Sequence, residues 1–520
     1  MSKQFKFCIL AAGVGSRNKS LGGLHKALLP VGNRPVISII IDKVPKHIPI
    51  VVAVGYNSEQ IRTYLEEVHA ERKFEFVYVE NYNGPGSGPG LSLLKCKEKI
   101  QCPFIFTSVD TIVDDNINFE SVDYNWVGCS QVSNTESHEY CLLETNGDLV
   151  TSFFYGTNRD AYAFTGIAGV LDYGDFWTGL ENKNIIRGEH QVLDGLNNLK
   201  SKQKFNMSWL DTGNIKSYAR TKLYYPNNLA VEKDDEAIFI DNGRVVKYFE
   251  NKEKSKKRLI RATKIGKSAP KVTKINDNMF CYDFVEAKRL SDVYDEKKLT
   301  LFFEQYEKNL RRNNFNKDQN FLKNCKKMYE EKTFKRVEVF ENTKLDNIEI
   351  INGVQVKPVK EMLLEIDWNS VYDKSIPSLF HGDLQPENVL MLKNGRYFYI
   401  DWREGFGEDL DVGDAYYDLG KLYHALLISN TLVLKGLYNI SIEGNRASIE
   451  YVLKNNLYKI LELLQKFCKE RKYDYEHVVL LGTLNYLNIA SLYGKFDEGK
   501  YGNFLFLLGK KMLAEHLRKK

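Results

Sequence analysis

Short, nearly unbroken apolar runs recur through the first part of the chain. Phe5–Leu10, Ile48–Val54, Phe74–Val79 and Phe104–Val109 are each followed by glycine or polar turn residues, and helical spacings such as Ser58–His69 lie between them. A strand that is apolar at successive positions buries both faces, and helices alternating with such strands supply the cover. The pattern predicts an α/β domain over residues 1–225, built on a doubly wound, mostly parallel, Rossmann-like sheet.

The pattern changes near Tyr225, where polar Pro226–Glu236 marks a boundary. Ala237–Phe249 then reads as two alternating runs around Asn242-Gly243, a hairpin signal because both turn positions favour positive φ. A helix is expected over Asn251–Thr263 and a strand over Met279–Val285. Helical periods dominate from Glu296, with strand and turn signals at Pro377–Trp402 and a helical tail over Arg446–Lys520. The expectation is a bilobal α+β domain over 236–520, with a small lobe at about 236–290 and a helical lobe at about 291–520.

A length of 520 residues suits two or three domains. The net charge of +5 is too small at this length to call for nucleic acid or an anionic membrane as partner. No apolar run approaches the roughly 18–20 residues of a membrane span, and the opening MSKQFKFCILAAG lacks the parts of a secretory signal. The eight cysteines are scattered without CxxC or zinc spacing, which reads as reduced thiols in a cytoplasmic protein.

The first chemical signal is Leu10-Ala11-Ala12-Gly13-Val14-Gly15-Ser16-Arg17, a strand running into a small-residue turn and a basic residue. Small residues let backbone N–H groups approach a phosphate chain. Arg17, and Lys26 within His25-Lys26-Ala27-Leu28-Leu29-Pro30, are placed to neutralise it. The spacing is neither a P-loop nor a complete GxGxxG. The string as a whole resembles the nucleotidyltransferases that activate sugar phosphates and phosphocholine, over about 220 residues. The resemblance implies nucleotide contacts at Leu10, Ala11, Ala12, Gly13 and Gly15, and catalytic roles for Arg17 and Lys26. It also implies Mg²⁺ ligands at Asp110 (in FIFTSVDTIV) and Asp211 (in WLDTG), and an acidic acceptor contact at Glu189. His25 before Lys26 is similar to the phosphocholine branch and favours CTP, whereas Trp209–Gly213 is closer to the sugar branch. The acceptor is therefore open.

The second signal is His381-Gly382-Asp383-Leu384-Gln385-Pro386-Glu387-Asn388, followed by Tyr399-Ile400-Asp401-Trp402. This resembles the catalytic and metal loops of aminoglycoside phosphotransferases and choline kinases. It implies a catalytic base at Asp383, Mg²⁺ ligands at Asn388 and Asp401, and ATP as phosphoryl donor. Lys247 is read as the phosphate-binding lysine of the small lobe. Asp414 and Asp418, in Gly413-Asp-Ala-Tyr-Tyr-Asp, are expected to support the loop or touch substrate. A protein kinase is disfavoured, because the Gly-rich loop and any Ala-Pro-Glu after Asp401 are missing.

Together the halves predict a bifunctional enzyme. ATP would phosphorylate a small alcohol (a sugar, a polyol or choline). The phosphate would then be joined to a nucleoside triphosphate, with CTP favoured, for decoration of surface polysaccharide or lipid. The alternative is an active nucleotidyltransferase carrying a non-catalytic kinase-like binding module.

Overall fold

The computed structural model describes residues 5–15, 22–115, 117, 119, 121–156, 160–225, 235–293, 295–311, 315–429, 433–453, 456–494 and 496–519. The chain forms two compact units, Met1–Asn251 with Lys274–Phe284, and Lys252–Thr273 with Val285–Lys520.

The first unit is built on nine strands: β1 (Lys6–Ala11), β2 (Ile50–Val54), β3 (Phe74–Tyr78), β4 (Phe104–Ser108), β5 (Trp126–Val132), β6 (Leu142–Asn146), β7 (Leu149–Phe154), β8 (Ala161–Val170) and β9 (Gln203–Asn206). Their order is β3-β2-β1-β4-β8-β5-β9-β7-β6. β3, β2, β1 and β4 are parallel, as the alternation of strands and helices predicts. Beyond β4 the sheet is mixed. β8 runs antiparallel to both β4 and β5, and β6 and β7 form a hairpin whose short turn at Gly147 permits only antiparallel pairing. Alternate residues of the parallel strands enter different cores. Phe7, Ile9, Val52 and Ile105 join one, while Cys8, Leu10, Val51 and Phe106 join the other. That two-sided burial is the physical reason for the unbroken apolar runs.

The hairpin expected over Ala237–Phe249 is present as β10 (Glu236–Asp241) and β11 (Arg244–Phe249), with Asn242 at φ 44° and Gly243 at φ 73°. β12 (Met279–Asp283) pairs antiparallel to β11. These strands fall in the first unit, whereas the helix that follows them, Lys252–Ile265, falls in the second. The segment expected to form one small lobe is thus divided. The reason lies in the strands' alternation: Ala237, Phe239, Val246, Tyr248, Met279 and Cys281 share a core with one face of the nine-stranded sheet. At the end of β10, buried Asp241 accepts from Arg34 Nε at 2.7 Å and Tyr64 Oη at 2.9 Å, with His69 Nε2 at 3.1 Å.

Burial alone would raise the Asp241 pKa, but hydrogen bonds from His69 and Ser38 and the charge of Arg34 bring it down to about 2. The unfolded value is near 3.9, so this stabilisation is complete above about pH 4 and is lost as pH falls towards 2. Asp241→Asn should cost about 2–4 kcal/mol at pH 7. It should also flatten the loss of stability between pH 4 and 2, read by urea unfolding of the full chain across that range. An unchanged acid limb would refute this role for Asp241.

The second unit is mainly helical. Helix Tyr475–Ala490 packs against both Ala415–Leu427 and Lys500–Leu517 and is buried on nearly every side, so its sequence lacks a polar stripe. Gly420 and Gly482 allow the close crossing, because a Cβ on Gly420 would lie 2.9 Å from the Leu481 Cβ. The tail expected to be helical from Arg446 begins instead with a hairpin, Tyr438–Glu443 and Arg446–Tyr451. Alternation in Ala447, Ile449 and Tyr451, with a turn at Gly444-Asn445, outweighs the helical spacing that follows. Among the described residues no helix is long and apolar enough to cross a membrane, and all eight cysteines are free and buried.

Candidate functional site

In the first unit, β1 delivers Leu10 and Ala11 to the rim of the sheet, where Ala12 and Gly13 leave it. The Ala12 C=O accepts the Tyr56 N–H at 2.9 Å, and Gly15 takes a φ of 68°. A Cβ on Gly15 would meet the Lys26 side chain at 3.0 Å, so the turn and the lysine are in contact. Arg17 lies outside the described residues.

His25 braces this turn. Its Nδ1 accepts the Ala27 N–H at 3.0 Å, which leaves the proton on Nε2 to be donated to the Gly13 C=O at 3.2 Å. Burial, with Lys26 adjacent, lowers its pKa to about 3, so the ring is neutral. Its side chain is occupied by the backbone on either side.

Lys26 Nζ reaches Asp110 Oδ2 at 2.9 Å. Asp110 follows β4, and Asp211 closes a short strand, Trp209–Asp211, that pairs with Thr111–Val113 in the register Asp211↔Thr111. This pairing brings together two carboxylates from distant parts of the chain. The Thr212 N–H donates to the Asp110 C=O at 3.0 Å. A Cβ on Gly213 would lie 3.0 Å from Asp211 Oδ1 and 3.3 Å from Asp110 Oδ2, so both carboxylates converge on the same glycine. The Asp211 carboxylate accepts from Gly213 N–H at 2.8 Å, Ser217 Oγ at 2.7 Å and Tyr140 Oη at 3.2 Å. Burial and then the Asp110 charge raise its pKa despite those donors. A cation relieves that strain, and Mg²⁺ takes one or two carboxylates together with water and phosphate oxygens. Among the described residues no group of three or more His, Cys, Asp and Glu side chains could hold a metal.

Glu189 stands apart. It is exposed on a small hairpin and accepts from Gln191 Nε2 at 2.9 Å. The glycine-rich Asn83–Gly90 segment docks on that hairpin through Gly86 N–H to Gly188 C=O, at 3.0 Å, and His190 N–H to Ser87 C=O, at 2.8 Å. Among the described residues no hydrogen bond or ion pair joins Glu189 to Lys26, Asp110 or Asp211.

In the second unit, the strands Val389–Met391 and Tyr397–Tyr399 form a hairpin in the register Val389↔Tyr399. The Ile400 N–H returns to the Asn388 C=O at 2.9 Å, and Asp401 follows at a φ of 59°. The Asn388 amide donates to the Asp383 C=O at 2.9 Å and lies 3.4 Å from Asp383 Oδ2. Asp383 Oδ1 faces Gln385 Nε2 at 3.0 Å and Lys421 Nζ at 3.3 Å. His381 is fully buried. Its Nδ1 accepts the Asp383 N–H at 3.2 Å and its Nε2 donates to the Ile400 C=O at 2.9 Å, tying the two loops together. Burial lowers its pKa to about 4, which keeps it neutral and outside acid–base chemistry at pH 7.

Asp418 accepts the N–H groups of His381 and Gly382 at 2.7 and 2.6 Å and so holds the turn before Asp383. Burial pushes it up to about 7 against the pull of those donors. Asp414 caps helix Ala415–Leu427 through the Tyr416 N–H at 3.1 Å and accepts Tyr329 Oη at 2.6 Å. Both are buried supports. Lys247 is buried at the centre of β11 in the first unit, between Ile238 and Phe280 of the flanking strands. Lys421 beside Asp383 and Tyr140 beside Asp211 are neighbours that the sequence does not single out, whereas Tyr417 is one of several aromatics of the helical lobe that it offers for an ammonium cage. The signal for Lys421 is helical spacing, since Tyr417 and Lys421 are one turn apart in a segment already read as supporting the loop.

Residues 7–115 match the MobA-like NTP transferase domain, and residues 332–432 match the phosphotransferase enzyme family. The chain therefore carries an N-terminal NTP transferase domain and a C-terminal phosphotransferase domain. It is 27% identical over 239 residues to the bifunctional protein GlmU of Methanococcus vannielii, covering 42% of this chain and 55% of that one. Against the same-named protein of Methanococcus maripaludis it is 32% identical over 132 residues, 25% and 30% of the two chains. The chain thus spans about half the length, or less, of these curated relatives. Similar solved structures include the CTP:phosphocholine cytidylyltransferase from Streptococcus pneumoniae, at 19% identity and TM-score 0.35, covering 43% of this chain and all of that one. Another is a glucose-1-phosphate thymidylyltransferase from Bacillus anthracis, at 20% identity and TM-score 0.36, covering 44% and 98%.

Proposed function

We propose that the chain is a two-step enzyme that phosphorylates a small alcohol with ATP and then couples the product to a nucleoside triphosphate, CTP before the others, with release of pyrophosphate. The observation that carries this reading is the meeting, within one unit, of Lys26, Asp110 and Asp211 beside the Ala12–Gly15 turn. The second unit adds Asp383 and Asn388 on one loop with Asp401 beyond the hairpin.

In the first step, the hydroxyl proton of the acceptor passes to the Asp383 carboxylate, which Gln385 and Lys421 orient. The alcohol oxygen bonds to the γ-phosphorus, the bond to the β-bridging oxygen breaks, and ADP leaves. In the second step, an oxygen of the new phosphate ester attacks the α-phosphorus of the nucleotide, the bond from that phosphorus to the α,β-bridging oxygen breaks, and pyrophosphate leaves. The nucleophile is already an anion, so orientation and charge neutralisation replace a base. Backbone from Leu10 to Gly15 cradles the triphosphate while Lys26 and Arg17 stabilise the leaving group. Asp110 and Asp211, and Asn388 and Asp401, would hold Mg²⁺, which when bound neutralises phosphate charge. Glu189 is a proposed contact for the acceptor. The preference for CTP rests on His25 before Lys26, and the product class suits decoration of surface polysaccharide or lipid.

The test is pyrophosphate release from CTP, UTP, GTP, ATP and dTTP against phosphocholine, phosphoethanolamine, polyol phosphates and sugar 1-phosphates. CTP should exceed the others by about tenfold or more, the scale of one lost base-specific hydrogen bond pair. Equal rates with UTP or dTTP would remove the CTP assignment. Folded protein silent with every pair would sink the nucleotidyl-transfer reading.

A further inference from the structure

Helix Ala415–Leu427 turns Tyr417 and Lys421, one helical turn apart, to the same side as Asp383. Tyr417 is only 3% exposed and Lys421 6%. Arg403, just after Asp401, brings Nη1 to 3.4 Å from the Tyr417 hydroxyl. Lys332, which opens helix Lys332–Val337, places Nζ 5.8 Å from the Tyr417 ring centre. Three cations therefore surround one hydroxyl beside the base. The carboxylates acting on them are Asp383 and Glu404, and Glu404 is shared between Arg403 and Arg258, each at 3.6 Å. Burial would raise the Tyr417 hydroxyl, yet Lys332, Arg403 and Lys421 bring it down to about 8. Burial likewise lowers Lys332 to about 8, with Arg403 and Lys421 adding to the effect.

Lys332 and Arg403 are half-buried beside the buried Lys421, and positive charge gathered this closely is costly unless an anion joins it. Asp383, one of the anions present, is also the group that must accept a proton. A quaternary ammonium would need an aromatic face clear of competing cations, and Lys332 already occupies that side of Tyr417. We infer that Lys332, Arg403, Lys421 and Tyr417 form the acceptor subsite of the phosphotransferase domain, and that it takes an alcohol bearing an anionic group, a carboxylate or a phosphate. Neutral polyols and choline lack the group this subsite binds. The inference rests on Asp383 as the base for the acceptor hydroxyl.

Calorimetric titration of the full chain, saturated with Mg²⁺ and ADP, tests it with D-glycerate and glycerol 3-phosphate as the two anionic probes and glycerol and choline as their uncharged and cationic counterparts. At least one anionic probe should bind, and which of them does distinguishes carboxylate from phosphate. Lys332→Met and Arg403→Gln should each weaken that binding about tenfold or more, Lys332→Arg should restore most of it, and the KM for ATP should stay within about twofold. Binding of neither anion, or equal binding of glycerol or choline, would overturn the inference. So would variants that raise the KM for ATP in place of weakening the anion, since the cluster would then serve the triphosphate. Anion binding that behaves as expected, without ADP release from any alcohol, would support the anion site and reject the base role of Asp383.

Discussion

Asp383→Asn is expected to lower ADP release with an acceptor alcohol by about a hundred- to ten-thousandfold, the range for loss of a positioned general base. The amide keeps the size of the side chain but cannot take the hydroxyl proton. Partners on the same loop should retain their geometry, because His381 and Asp418 hold its backbone and do not depend on the Asp383 carboxylate for those bonds. KM for ATP should change little, while kcat falls. Pyrophosphate release from a supplied phosphate ester should be unaffected, since that chemistry is assigned to the other unit. The measurement is a coupled ADP assay beside a pyrophosphate assay on the same preparation. A variant that retains full ADP release would remove Asp383 from the mechanism and leave the kinase-like domain as a binding module.

Asp110→Ala carries the complementary expectation. Asp110 is joined to Lys26 at 2.9 Å and converges with Asp211 on Gly213. Removing it takes away a Mg²⁺ ligand and the anion that orients Lys26. A loss of about 4 kcal/mol in transition-state stabilisation corresponds to about a thousandfold in pyrophosphate release. The Asp211 pKa should fall at the same time, because Asp110 is one of the groups raising it. The variant should still fold, as Thr212 bonds to the Asp110 backbone C=O, which alanine preserves. Loss of ADP release as well would contradict the assignment of the two steps to separate sites.

The parallel half of the first sheet was legible because its strands are buried on both faces and carry an unmistakable apolar run. The mixed half was not, since β6 and β7 carry polar residues among their apolar ones and their pairing depends on turns such as Gly147. The hairpin around Asn242-Gly243 was legible as local turn chemistry, but its membership of the first unit was not. That depends on which side of β10 and β11 finds an apolar surface, and on Arg34, Tyr64 and His69 around Asp241. The hairpin at 438–451 shows the converse error, where a helical period downstream hid a short alternating run.

Residue identities and local spacing were enough to place the turn after β1, the loop from His381 to Asn388, and the acidic residues at strand ends. Such features are encoded within a few positions of each other, where backbone geometry leaves little choice. The contact between Asp110 and Asp211, and the gathering of Lys332, Arg403 and Lys421 around Tyr417, arise between segments far apart in the chain. No local pattern records these contacts. They exist because strand register and helix packing bring charged groups together against the cost of burial, and that cost is met only once the whole core has formed.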